Sequence, residues 1–422
     1  MVVAGGGIAA LCAALAARRA GASVLLAEQA PKALRGGNVR HARNFRVMHD
    51  APSPMSPAAY CQAEFLSELQ RVSEGRGEEA LARILVRRSA DIPRWLEENG
   101  VAFELPAAGD LPWSRKTVFL LGGGMALLNA LYRAAGRIGV QIAYDCEVTA
   151  LHPDGSAEMT AQGRPLQVAS RAGIACSGGY QANRAWLRQD WGDAADRFAI
   201  RGTAFADGGL LRSLLDQGAV PSGTSGACHL VAVDARSPAF DGGVVSRVDG
   251  FRFGVVVDSN GDRFCEEEAW LGPERYSSWG RAIAGRRGQT AFLVLDALGV
   301  ELAPPSVFPS IVAEDLAGMA QLLGVDRDRM ERSALASGRV KVPPFHAFPI
   351  RPGVTFTALG VKVDEAARIL GDGAEAFPGL FAAGMIMAPN ILGGGYLAGA
   401  ALTIGAVFGV IAGEGAARHA RA

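Results

Sequence analysis

Gly5, Gly7, Ala10 and Glu28 carry the clearest chemical spacing in this chain. Gly5-x-Gly7-x-x-Ala10 lies between a short apolar run, residues 1–4, and an alanine-rich stretch with helical character, residues 8–20. Gly5 permits a tight turn, Gly7 lets backbone amides approach a pyrophosphate, and Ala10 lets a helix lie close on a strand. The N-terminus of such a helix adds positive dipole for the phosphates. Glu28 closes a second apolar run, residues 23–27, about 20 residues past the loop, where a carboxylate accepts hydrogen bonds from a ribose diol. A lone glycine motif is weak evidence, but the complete strand–turn–helix–strand–Glu unit points to a dinucleotide. A purely structural glycine turn is the alternative. FAD is expected rather than NAD, because the loop stands at the start of the chain and further glycine elements follow. These are Gly36-Gly37, Gly178-Gly179, Gly384 and Gly393-Gly394-Gly395.

The elements that position these residues follow from apolar periodicity. Amphipathic helices are predicted over 55–74 and 78–99, a turn and helix over 122–139, and strands around 141–151 and 171–176. Beyond about residue 222 short strands (229–233, 254–258, 291–295) alternate with acidic and aromatic loops; strand patterning returns at 354–363 and 380–383, and a helix closes the chain. A nucleotide-binding domain split by an inserted domain fits this order. The 422 residues allow two to three domains at about 150 each. Lys plus Arg and Asp plus Glu both number 42, a zero formal charge without the basic excess of a nucleic-acid binder. The 54 glycines exceed the roughly 7% usual share, yet 49% of residues are apolar, so neither collagen nor disorder fits. The six cysteines form no close pairs and read as reduced thiols of a cytoplasmic protein. Residues 1–17 lack the basic start of a signal peptide. Residues 380–413 carry no charge, but Pro389, Asn390 and the glycine run break them, so a stretch buried against a large ligand is expected rather than a membrane span.

Residues 3–7, Gly36-Gly37-Asn38, 260–267 (NGDRFCEE) and 381–384 (FAAG), in this order, resemble the flavoprotein family of fumarate reductase, succinate dehydrogenase and 3-ketosteroid dehydrogenase. Residues 36–50 (GGNVRHARNFRVMHD), 274–281 (ERYSSWGR), 349–360 (PIRPGVTFTALG) and 390–413 (NILGGGYLAGAALTIGAVFGVIAG) are similar to the tricarballylate dehydrogenases within it. The resemblance covers almost the whole chain. It implies an α/β fold: a Rossmann-like FAD-binding domain over 1–223 and 357–422, with an inserted α+β cap domain over 224–356. It also implies non-covalent FAD, because Asn38 falls about where succinate dehydrogenases carry the flavin-linked histidine. Backbone at Val148 would contact the adenine region, Gly178 and Gly384 would approach the flavin, and the helix after Gly395, with Leu402 and Thr403 near its start, would aim its N-terminus at the flavin's pyrimidine edge. Met385 stands where the family usually has a glutamate touching the ribityl or ribose hydroxyls.

The implied activity is oxidation of a small polycarboxylate, of the tricarballylate to cis-aconitate type, by hydride transfer to flavin N5. Electrons would leave to a membrane-associated iron–sulfur or haem partner, which would hold the cytoplasmic protein at the inner membrane. The family's paired histidines near Thr355 and Phe356, its substrate arginine near Ile391 and its catalytic arginine shortly after Asp296 are missing, so fumarate reduction itself is not expected. The flavoprotein half of a precorrin-3B synthase is similar to the same group, and a non-catalytic flavin-binding protein is a third reading. His229 aligns with a fumarate-binding histidine and is the first candidate for a carboxylate contact; an ordinary hydrogen-bonded histidine is its alternative. Arg351 suits a bidentate carboxylate clamp, or a surface ion pair. Tyr276 and Arg281 share one helix with Arg275 and read as substrate contacts or as a solvated face. Tyr396 is an acid or base candidate at the flavin, or core packing. Arg40, His41, Arg43 and Arg46 read as phosphate or substrate ligands or as a solvated basic loop, and Glu267 matches a proton-relay glutamate.

Overall fold

A computed structural model describes residues 1–105, 115–241, 246–269 and 275–422, the last segment without the side chains of Arg275 and Tyr276. The chain forms two compact units. One comprises Met1–Trp186, Gly202–Cys228 and Phe356–Ala422; the other comprises Leu187–Arg201 and His229–Thr355. Residues 187–201, which the sequence-based division puts with the nucleotide-binding domain, belong to the second unit. The reason is strand pairing: Ala199–Ile200 runs parallel to Phe345–Val361, with Ala199 opposite Gly353 and Ile200 opposite Val354.

The first unit is built on a six-stranded sheet in the order Arg368–Leu370, Ala376–Ala382, Gly173–Ala175, Val2–Ala4, Leu25–Ala27, Gln141–Ala143. Val2–Ala4 is central and parallel to both neighbours, Val2 facing Leu25 on one side and Gly173 on the other. A central parallel strand is covered on both faces, so its run Val2-Val3-Ala4 is continuously apolar rather than alternating. The outermost Arg368–Leu370 is antiparallel. The expected helix over 78–99 is two helices, Glu79–Ser89 and Ile92–Glu98, the second carrying Pro93 in its first turn where a missing N–H costs nothing.

The helix Ile8–Arg19 is apolar on every side because it is covered on every side, and the closing helix Ala400–His419 packs against it. A Cβ on Gly405 would lie 2.8 Å from Ile8 Cγ2, one on Gly409 2.6 Å from the Ala9 carbonyl, and one on Gly413 2.3 Å from the Ala13 carbonyl. Glycine at every fourth position strips one face of the closing helix, so the two backbones approach closely. Ala400–His419 is long and apolar enough to cross a membrane, but it is largely buried in this core. The absence of charge over residues 400–413 is accounted for by packing against Ile8–Arg19.

The second unit centres on a sheet ordered Ala199–Ile200, Phe345–Val361, Ala291–Leu295, Gly254–Asp258, with Pro221–Asp234 and Ile311–Ala313 also pairing with Phe345–Val361. Alternate residues of one strand go to opposite faces. Val256, Leu293, Leu295 and Ile350 pack with Trp279 and Ile283 of the helix Arg275–Ala284. Val255, Val257, Val294 and Ala347 pack with Met319 and Met330 of the helices Leu316–Leu323 and Arg327–Ser337.

Candidate functional site

The glycines of the N-terminal loop divide into two kinds. Gly5 has φ +116°, and a Cβ there would sit 2.5 Å from the Cys176 carbonyl; its N–H donates to the Ala27 carbonyl at 2.8 Å. A Cβ on Gly6 would lie 2.1 Å from Glu28 Oε2 and 2.2 Å from the Tyr132 hydroxyl, which donates to the Gly6 carbonyl at 2.9 Å. Gly36, at φ +97°, would run into Leu128. These three are required by packing. Gly7, Gly37 and Gly178 are different: a Cβ on Gly7 would meet nothing nearer than 3.7 Å, and Gly37 and Gly178 have nothing within 4 Å. Gly7 also caps Ile8–Arg19, whose first turn has neither a side-chain cap nor an acidic residue. Open glycines beside an uncapped helix N-terminus form a backbone cradle for an anion.

Glu28 is 6% exposed. Its Oε1 accepts from the Ala30 N–H at 3.0 Å and its Oε2 from the Gly36 N–H at 2.9 Å. Burial raises its pKa, against backbone N–H donors that hold it down. Each oxygen keeps a lone pair for a diol. Ala10 is fully buried on the helix face, and Val148 is buried in the strand Cys146–Leu151, paired with Met159. Beyond the strand Gly173–Ala175, Ser177 Oγ and Gln181 Oε1 are buried polar atoms without a hydrogen-bond partner. Buried orphans of this kind call for a ligand or water. With the open glycines and Glu28, they fit an FAD.

Other expected cofactor residues have structural duties. Asn38 Oδ1 accepts from the Thr203 N–H at 3.0 Å. Gly384, at φ +81°, brings the turn Gly384–Ile386 against Ala9, and Met385 is half-buried there. Leu402 is buried in the first turn of Ala400–His419. The Thr403 hydroxyl donates to the Arg46 carbonyl at 2.8 Å and accepts from the Arg46 N–H at 3.1 Å, tying the strand Asn44–Arg46 to the helix. Gly395 packs on the last turn of the helix Gln62–Ser73, a Cβ there lying 1.9 Å from the Val72 carbonyl. The half-buried Tyr396 ring is tilted against Phe356, centroids 6.3 Å apart. Arg46 is not solvated: it is buried and donates to Glu68 Oε2 (2.6 Å), the Tyr60 hydroxyl (2.9 Å) and the Ala398 carbonyl (2.8 Å).

In the second unit, His229 is 5% exposed on Pro221–Asp234 and its pKa lies well below 6.5, first through burial and then through the charges of Arg201, Arg281 and Arg247. Arg351 Nη2 donates to the Ser237 carbonyl at 2.6 Å, so part of its guanidinium holds that turn. The Tyr276 side chain lies outside the described residues. Glu267 is fully buried, accepting from Arg263, Arg339 and the Val256 N–H. The sequence reading missed Gly6 and Tyr132, although a third consecutive glycine was the visible signal. It also missed Arg201 and Arg247, for which no local signal exists.

The low His229 pKa has a testable consequence. Below about pH 6.5 an unfolded imidazole gains a proton that the folded site refuses, so the unfolded state binds more protons and stability rises with pH. The contribution is complete above that pH and is lost as pH falls. His229→Gln is expected to flatten the fall in melting temperature between about pH 7 and about pH 5; unchanged slopes would refute it.

Comparison with known proteins agrees with the cradle. A family model described as an FAD binding domain matches residues 1–402. Digoxin reductase of Eggerthella lenta is 24% identical, the match covering 99% of this chain and 86% of that protein. A probable fumarate reductase, Ifc3, of Shewanella frigidimarina is 25% identical over 100% of this chain and 75% of its own length. The open conformation of a flavocytochrome c3 fumarate reductase superposes with a TM-score of 0.81 at 22% identity, covering 99% of this chain and 78% of that one. The chain belongs to the FAD binding domain family, with FAD as its cofactor.

Proposed function

We propose that this FAD-dependent oxidoreductase acts on a CH–CH bond flanked by carboxylates, oxidising a small polycarboxylate of the tricarballylate type to its alkene. The observation that carries this reading is the buried, neutral His229 set among three arginine cations. Cations of this number suit a multiply charged anion, and a neutral imidazole N–H can donate to a carboxylate. Bound FAD supplies the hydride acceptor. The chain's own contribution is to hold the pyrophosphate on the Gly7 amides and helix N-terminus, fix the ribose on Glu28, and bind carboxylates through His229 and the arginines. A membrane-associated iron–sulfur or haem partner reoxidises the flavin in this reading.

Anaerobic titration of the FAD-loaded protein tests it. Tricarballylate is expected to bleach the flavin absorbance, with succinate and fumarate leaving it unchanged. A fully loaded protein that no polycarboxylate bleaches would exclude the reading.

A further inference from the structure

Three separate elements of the second unit each deliver one arginine toward His229. Arg201 follows the strand Ala199–Ile200; its N–H donates to the Val354 carbonyl at 2.8 Å and its Nη1 to Thr355 Oγ1 at 3.2 Å. Ala199 packs with Val231 and Val233, the alternate residues beyond His229 on Pro221–Asp234. Arg247 bridges to Val233 on the same strand, and Val248 donates to the Ala232 carbonyl at 3.0 Å. Arg281 arrives on the helix Arg275–Ala284. A Cβ on Gly280 would lie 2.3 Å from the Leu230 carbonyl, so only glycine lets this helix rest on the residue after His229.

We propose that Arg201, Arg247 and Arg281 form one carboxylate-binding constellation around His229, with Arg201 as the residue that selects a tricarboxylate over a dicarboxylate. It deepens the polycarboxylate reading above and rests on it. Arg201 is 7% exposed and is held by its own backbone and by Thr355, so it is oriented before any ligand arrives. Arg247 is partly answered by Asp249 at 3.6 Å, and Arg281 stands on an exposed helix position. The most desolvated and most fixed of the three guanidinium groups therefore discriminates most strongly. His229 contributes a hydrogen bond and no charge, and Asp249 is the acidic group that faces Arg247.

Isothermal titration of the FAD-loaded holoenzyme with tricarballylate, succinate and butyrate tests the assignment. The wild type is expected to bind them in descending order of charge. Arg201→Gln should weaken tricarballylate about 30-fold or more and bring it close to succinate, and the exposed Arg281→Gln should weaken it about tenfold. Arg201→Lys should recover only part of the loss, because a point charge lacks the bidentate fork. Arg188→Gln, which removes a surface charge paired with Asp196, is the control and should bind as wild type. FAD content and melting temperature accompany each variant, and Arg281→Gln carries the test if Arg201→Gln does not fold. Arg201→Gln or Arg281→Gln binding tricarballylate like wild type would overturn the constellation. Wild type that prefers butyrate, or binds none of the three, would overturn it equally. If the arginine variants lose binding while wild type is never bleached by a polycarboxylate, the constellation stands and the dehydrogenase reading falls.

Discussion

Gly5→Ala is expected to purify without FAD and with a lowered melting temperature. The φ of +116° lies where an L side chain is strained, and the new Cβ would be 2.5 Å from the Cys176 carbonyl. That carbonyl follows Gly173–Ala175, a strand locked in parallel register with Val2–Ala4, so the contact is with backbone that cannot rotate away. Conformational strain of about 1–2 kcal/mol and overpacking of about 1–3 kcal/mol both act at the turn that starts Ile8–Arg19. Gly7→Ala provides the contrast. Its φ of −76° is ordinary, and 3.7 Å of clearance leaves the apoprotein unstrained. It should melt like wild-type apoprotein and yet lose FAD, because the methyl occupies space a phosphate needs. The flavin-to-protein absorbance ratio and the apoprotein melting curve separate the two. Wild-type FAD content in Gly5→Ala would contradict the packing assignment; wild-type content in Gly7→Ala would remove Gly7 from the cofactor cradle.

Glu267→Ala is expected to destabilise the protein by about 3–5 kcal/mol, the cost of breaking a buried ion pair by deleting one partner. The Glu267 carboxylate has no exposure, while Arg263 and Arg339, its two guanidinium partners, are largely enclosed. Removing it also strips the Val256 N–H, in the centre of the Gly254–Asp258 strand, of its acceptor. Arg263 keeps Glu266 and Arg339 keeps Glu268, so part of the charge is still answered. Urea unfolding measures the loss. A proton relay would instead appear in Glu267→Gln as lost turnover with stability retained, and that result would displace the structural role.

The legible part of the fold was local. Residues 1–28 place strand, turn, helix, strand and acid in one short stretch, so the apolar run, the glycine spacing and Glu28 could be read without any partner. The division into units was less so. The strand Ala199–Ile200 is too short to register as a strand and belongs with the second unit only through pairing with residues 353 and 354. The helix over 78–99 was visible by periodicity, but its interruption before Pro93 was not.

The glycine excess shows where sequence stops. Gly5 and Gly7 announce themselves because a nucleotide loop needs them at fixed local spacing. Gly395 looked like part of the same apparatus, yet it lies on the Val72 carbonyl, far away in sequence. Gly405, Gly409 and Gly413 looked like a cofactor-facing neutral stretch, and they form a face for Ile8–Arg19. A glycine's reason is the atom its missing Cβ would strike, and only the folded chain names that atom. The arginines follow the same logic. The sequence determined a dinucleotide loop, a two-part chain and a candidate carboxylate-binding histidine, because those are set by neighbours along the backbone. That Arg201, Arg247 and Arg281 gather about His229 was decided by tertiary structure, through a paired strand, a bridged strand and a helix admitted by Gly280.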